Sequence, residues 1–362
     1  MGRATGRRVT LSTLAADLGI SATTVSNAYN RPDQLSSALR NRILARAAEI
    51  GFAGPSPAGR SLRRGRVGAV GVLLGQPLSF AFSDPASVQL FDGVATTFHE
   101  HGTAMLLIPS TASAAADKRL VESAVVDGWL AYALGEQDPL WPAIRARQQP
   151  IVVLDQPDDA GLPVFAPDDE SGMRAIAKHL LDLGHTEIGV VSTEFRRDGR
   201  HGPADAERQA QAHAGSTARR LAGVRAAVQA AGLDWAGITV IEAASNTQPA
   251  GSQAAMALLR WPKRPTAILA FTDQLALGVL HATRSLGLAV PHDLSVTGFD
   301  DVPAAQFAEP PLTTVDHRLA ARGAAGAAAI MAWIESGTAP RPGPRSRTRL
   351  VVRKTTAAPA GR

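Results

Sequence analysis

The feature that most constrains the fold begins at Val67. From there the chain repeats short apolar runs: VGAVGVLL, AMLLIP, DGWLAYAL, PIVVLD, EIGVVS, ITVIE, TAILAF and LSVTGF. Longer helix-compatible stretches such as SGMRAIAKHLLDLG and TARRLAGVRAAVQAAG separate them. A strand that is apolar on both faces must be covered on both, a condition met by parallel sheets with crossover helices on either side. Eight such runs predict two doubly wound parallel sheets, hence two lobes. Residues 196–217 carry no strand signal and are expected to form a surface loop or an irregular helix.

The first 66 residues have a different texture. Leu11, Leu14, Ala15 and Leu18 fall at helical spacing, and Gly19 offers a positive-φ stop. Ser21 suits the N-cap of a second helix over Ala22 to Tyr29, and RPDQ reads as a turn. Ser36 would cap a third helix with Leu39, Ile43, Ala47 and Ile50 on its inner face. Two short helices joined by a brief turn and closed by a third make a helix-turn-helix. The following GFAGPSPAGRSLRRGR reads as a linker with room for a helical turn or two around Ala58 to Arg63.

Charge divides at the same place. Residues 1–66 hold eleven arginines and no lysine against Asp17, Asp33 and Glu49, a net +8 that leaves −3 for the rest of a +5 chain. A basic head on a mildly acidic body is the footprint of a nucleic-acid-binding module carried by an independent domain.

Other function classes are disfavoured. The absence of cysteine removes disulfides, thiolate metal sites and cysteine nucleophiles. No apolar window reaches the length of a membrane span, and MGRATGRRVT has no apolar signal core, so a cytoplasmic protein is expected. GVLLGQP lacks the lysine of a phosphate loop, and neither GxSxG nor a strand followed by GxGxxG occurs. His99 and His101 lie two apart at a helix end and diverge, so no metal site, cofactor or catalytic residue is assigned. The rival readings are an enzyme, an effector-binding protein without operator control, and an architectural DNA-binding protein without effector.

In order, VTLSTLAADLGISATTVSNAYNRPDQLS, RSLRRGRVGAVGVLL, ARRLAGVRAAV, AFTDQLALGVLHATRSLGLAVPHDLSVTGFDD, PPLTTV and LVVRKTTAAP resemble the lactose-repressor and galactose-repressor (LacI/GalR) family over nearly the whole chain. The resemblance implies a helix-turn-helix head and a core like a periplasmic sugar-binding protein. The implied division is a basic disordered arm 1–8, a DNA-binding domain 9–53, a hinge 54–66 and a core 67–355, ending in a disordered tail 356–362. Within the core, lobe 1 covers about 67–166 plus 317–337, and lobe 2 covers about 167–316 plus a last strand at 347–354.

By the same resemblance Ala22, Thr23 and Asn27 read bases, while Thr10, Ser21, Thr24, Ser26, Asn30 and Ser36 contact phosphates. Asn can pair with adenine through two hydrogen bonds, and the Thr and Ala methyls can meet a thymine methyl. Leu62, with Arg60 and Arg63, matches the hinge segment that wedges into the minor groove. Asp155, Arg220, Asp273 and Asp300 match the effector pocket, with Phe80 and Phe82 offered as stacking faces. Thr272 stands where sugar-responsive members often carry Asn. The expected function is a homodimeric repressor on palindromic double-stranded operator DNA, controlled by a small-molecule effector such as a sugar.

Overall fold

The computed structural model describes residues 9–54, 65–111, 113–156, 161–196, 198–212, 215–341 and 345–360. The chain divides into two compact units, Met1–Gly68 and Ala69–Arg362. The hinge candidates Arg60, Leu62 and Arg63, and the N-terminal arm, lie outside the described residues.

In the first unit, α1 (Leu11–Leu18) starts from Thr10, whose side chain accepts from the Thr13 amide, and stops at Gly19 with φ 66°. Ser21 caps α2 (Ala22–Asn30) by accepting from Thr24 N at 3.0 Å. After a 3-10 turn over Pro32–Gln34, Ser36 caps α3 (Ser37–Glu49) through Leu39 N. Leu14, Ala15, Val25, Ala28, Ile43 and Ala47 meet in the core. Phe52, just beyond α3, closes it and packs edge-on to Tyr29 with ring centroids 6.0 Å apart.

All eight apolar runs are strands of the second unit. Lobe 1 is a parallel sheet in the order β2-β1-β3-β4-β5, comprising β1 (Ala69–Leu74), β2 (Ala104–Pro109), β3 (Gly128–Tyr132), β4 (Ile151–Leu154) and β5 (Val164–Phe165). Lobe 2 has the order β10-β9-β6-β8-β7, from β6 (Ile188–Ser192), β7 (Gly202–Pro203), β8 (Thr239–Glu242), β9 (Ala267–Ala270) and β10 (Ser295–Thr297). Among the described strands of these two sheets, β7 alone runs antiparallel to its neighbour.

Alternate residues of one strand enter different cores, which is why the runs are apolar on both faces. Val70, Val72 and Leu74 join one cluster while Leu73 joins another. In lobe 2, Val190 and Val191 divide in the same way. Helices cover each face, and several pack closely enough to require glycine. A Cβ on Gly93 of α5 (Pro85–Glu100) would lie 1.9 Å from the carbonyl oxygen of Ala320 in α14 (Leu319–Ser336). One on Gly323 would lie 2.0 Å from the Leu90 oxygen.

Two sequence expectations are corrected here. The last strand is only β12 (Arg349–Val351), and it pairs with β11 (Thr314–Asp316) in a separate two-stranded sheet. Residues 356–360, expected in a disordered tail, are docked on lobe 2. His185 Nε2 lies 2.9 Å from the Ala357 carbonyl oxygen, and Ala357 N donates to Ser295 Oγ at 3.1 Å. Backbone bonding to buried partners supplies the order that a small-residue composition concealed. The segment expected as a surface loop or an irregular helix contains the two-residue strand β7, the short helix α9 (Ala206–Ala210) and the start of α10 (Gly215–Ala230).

Candidate functional site

In the first unit, α2 presents a polar outer edge. Ala22 and Thr23 are exposed and Asn27 is half-buried, its amide donating to Gln34 Oε1 at 3.3 Å. Thr10, Ser21 and Ser36 are exposed at the N-caps of the three helices, and Thr24 is half-buried with its hydroxyl 2.8 Å from Ser21 Oγ. Ser26 departs from the expected phosphate set. It is 6% exposed and accepts from the Asn30 amide, so these two side chains satisfy one another within the helix.

In the second unit, a cavity of about 480 Å³ opens where the strands of both lobes end. This is the crevice at the carboxyl ends of parallel strands where ligands of open α/β sheets sit. Ala133 follows β3, Asp155 follows β4, Thr193 follows β6 and Thr272 lies just beyond β9; all four line it. Ala133, Asp155 and Asp300 hold φ of 52°, 71° and 129°. Such conformations cost roughly 1–3 kcal/mol each in non-glycine residues, and they gather where a site fixes its side chains.

The charged centre is Arg220 on α10. Its Nε donates to Asp169 Oδ1 at 2.8 Å, NH2 lies 3.6 Å from Asp300 Oδ1, and the guanidinium sits 4.0 Å over the Phe299 ring. Asp169 opens α8 (Asp169–Asp182) and is fully buried. His317 Nε2 lies 3.1 Å from Asp300 Oδ1, and Arg322 NH1 donates to His317 Nδ1 at 2.9 Å. Arg322 NH2 forms an ion pair with Asp155 at 2.8 Å.

Burial pushes the Asp300 carboxyl well above the usual carboxylate range, with Arg220 pulling the other way. Burial also raises Asp84, against its hydrogen bonds from Ser87. His317 is held well below its ordinary value by burial, then by the Arg322 and Arg220 charges. Phe80 and Phe195 add aromatic surface, while Tyr132 and Asn246 add polar groups. Asn246 accepts from Thr272 Oγ1 at 2.6 Å and donates to Asp84 at 3.4 Å, which puts an amide beside the position where Thr272 lacks one. Among the described residues no group of three or more His, Asp or Glu could hold a metal ion.

Residues 177–356 match the family model of a periplasmic binding protein-like domain. The chain is 42% identical over 302 residues to the HTH-type transcriptional regulator Rv3575c of Mycobacterium tuberculosis, covering 83% of this chain and 84% of that one. A LacI-family transcriptional regulator from Corynebacterium glutamicum is similar in structure, with TM-score 0.73 and 35% identity over 97% of this chain and 100% of that one. The lac repressor dimer bound to operator and an anti-inducer gives TM-score 0.76 at 25% identity, again over 97% and 100%. The chain belongs to the LacI family of transcriptional regulators.

In this LacI-family regulator the cavity gathers Phe80, Asp155, Arg220 and Asp300 of the expected pocket residues and leaves out two. Phe82 is 65% exposed and off the lining. It shares a helix, α4 (Leu78–Ser83), with Phe80, and helical residues two apart point roughly 200° apart. Asp273 is fully buried and turned into lobe 2, where its carboxylate accepts from Val302 N at 2.9 Å and from Thr314 Oγ1. Thr272 takes the helix cap of α12 (Asp273–Ser285) through Leu275 N.

Sequence reasoning missed Asp84, Tyr132, Asp169, Phe195, Asn246 and His317. The strand-end rule could have found Asn246, four residues beyond β8. No helix among the described residues is long and apolar enough to cross a membrane.

Proposed function

We propose that this regulator is a dimeric repressor that binds a palindromic operator and is controlled by a neutral polyhydroxylated effector, such as a sugar, in the interlobe cavity. The proposed division is a DNA-binding domain over 9–53, a hinge over 54–66 and an effector core from 67. The observation that carries the effector reading is the buried Asp169–Arg220–Asp300 cluster facing the cavity beside Phe80 and Phe195. A guanidinium braced by carboxylates offers paired donors and acceptors to vicinal hydroxyls, and aromatic faces cover the apolar side of a ring.

Ala22, Thr23 and Asn27 are proposed to meet base edges. Thr10, Ser21, Thr24 and Ser36, with the helix N-termini they cap, are proposed to hold phosphates. Asn30 and Ser26 remain in support of the helix. The lac repressor was solved as a dimer on operator with an anti-inducer, which supports an effector-controlled dimer here.

The test is binding of the full chain to DNA from its own promoter region over a salt series, with and without a panel of sugars and other metabolites. A palindromic footprint, a steep salt slope and release or tightening by one panel member are expected. No footprint at any salt concentration would refute the operator reading, and a footprint insensitive to the whole panel would refute the effector reading.

A further inference from the structure

The two walls of the cavity are joined by a continuous line of polar groups, buried except at its lobe 1 end, where Asp155 is half-buried. It runs from Asp169 through Arg220 and Asp300 in lobe 2 to His317 on the segment between β11 and α14, and on through Arg322 of α14 to Asp155 in lobe 1. Arg322 and His317 are 4% and 3% exposed. Arginine has donors only, so His317 Nδ1 must accept from Arg322 NH1, and Nε2 therefore carries the hydrogen and donates to Asp300. A second bond from Arg322 NH1 to the His317 carbonyl oxygen, at 2.9 Å, fixes the guanidinium to the same residue. Its other terminal nitrogen faces Asp155. Both carboxylates at the ends of this bridge sit on positive-φ backbone and line the cavity.

We infer that His317 and Arg322 are positioning residues that aim the cavity carboxylates Asp300 and Asp155 at the effector and bind the two walls into one unit. The inference rests on the cavity being the effector site. A ligand hydroxyl that takes up Asp300 meets an oxygen already oriented by the imidazole, and the same imidazole is oriented by the cation that orients Asp155. The two walls are thereby preorganised together, and a change at either carboxylate reaches the other through two hydrogen bonds and an ion pair.

The experiment uses the full chain and three probes, D-glucose, D-ribose and sorbitol, titrated calorimetrically against wild type, His317→Leu, His317→Gln, Arg322→Leu and the double Leu variant. Glutamine can donate with its amide nitrogen and accept with its oxygen, as the neutral ring does. The expected result for a probe that binds wild type is affinity weakened about tenfold or more in each single Leu variant, corresponding to about 1.4 kcal/mol. His317→Gln should stay within about threefold, and the double variant should be no worse than the weaker single, because the pair acts as one unit. Selective ¹⁵N-histidine spectra of wild type should give the Nε2–H tautomer for His317 without any probe.

A structural role alone would lower the thermal midpoint of His317→Leu and leave probe affinity within about twofold of wild type in every variant that still melts cooperatively; that result overturns the inference. So does an Nδ1–H tautomer. Failure of the underlying reading is seen separately, as absence of binding of all three probes to wild type, and it removes the inference too.

Discussion

Arg208 and Glu242 provide the sharpest energetic test of how the cavity wall is held. Their side chains are 3% and 2% exposed, and Arg208 grips both Glu242 oxygens, through Nε at 2.7 Å and NH2 at 2.8 Å. Glu242 Oε1 also accepts from the amide of Phe195, a cavity-lining residue, at 2.7 Å. Replacing Glu242 by Leu strands a buried guanidinium that keeps only Asp198 and Gln211, and it orphans the Phe195 amide. Breaking a buried pair costs about 3–5 kcal/mol, a range that here includes the lost amide bond. Arg208→Met should cost about as much, because it leaves a buried carboxylate without its cation. The double variant removes both charges together and leaves the Phe195 amide unsatisfied, at about 1–3 kcal/mol, while the partly exposed Asp198 loses its cation but can turn to water. Urea unfolding followed by circular dichroism should therefore place both single variants about 1 M or more below wild type, with the double variant between them and wild type. A Glu242→Leu cost under about 1 kcal/mol, or a double-variant cost equal to the sum of the singles, would refute the reasoning.

Three further outcomes are expected. Gly323→Ala should lower the melting temperature although alanine favours helix by about 1 kcal/mol, because its Cβ would meet the Leu90 oxygen at 2.0 Å and overpacking costs about 1–3 kcal/mol or more; a rise in melting temperature would sink this. Ser21→Ala removes the cap of α2 and should cost about 1 kcal/mol, read as a roughly fivefold loss of exchange protection at the Thr24 amide, whereas unchanged protection would mean that the cap is idle. Burial holds His185 below its ordinary value, so as pH falls below about 6.5 the unfolded chain takes up a proton that the folded protein resists, and stability declines until the depressed pKa is reached. The advantage of wild type over His185→Gln in melting temperature should therefore shrink from pH 7 to pH 5, and a constant difference would contradict this.

Much of the architecture is readable in the sequence because burial on both faces of a strand leaves a one-dimensional trace. VGAVGVLL, EIGVVS and TAILAF could be placed without long-range information, since each must be apolar on both faces to sit between two helix layers. Ser21, Gly19 and Ser36 likewise declared the ends of the first three helices through local chemistry. Strands of two or three residues, such as β5, β7 and β11, are too short to leave a periodic signal.

The site was legible only in part. Arg220, Asp155 and Asp300 are expected by resemblance and by their place near strand ends, and all three line the cavity. Asp273 and Phe82 were assigned by the same means, yet they turn away from the cavity. What decided between them was contact between residues far apart in the chain. Thr314, 41 positions away, offers its hydroxyl to Asp273 and draws it inward. His317, 17 positions from Asp300, helps hold that carboxylate at the cavity, and Asn246 reaches Asp84 across 162 positions.

By itself the sequence determined the basic helical head, the two parallel-sheet lobes and the order of their parts, because hydrophobic periodicity, capping and charge act over a few neighbouring residues. Tertiary structure alone decided which polar side chains converge, that the tail docks at His185, and that one largely buried line of polar groups joins the two walls. Those outcomes depend on which surfaces meet after folding, and on desolvation that exists only once they have met.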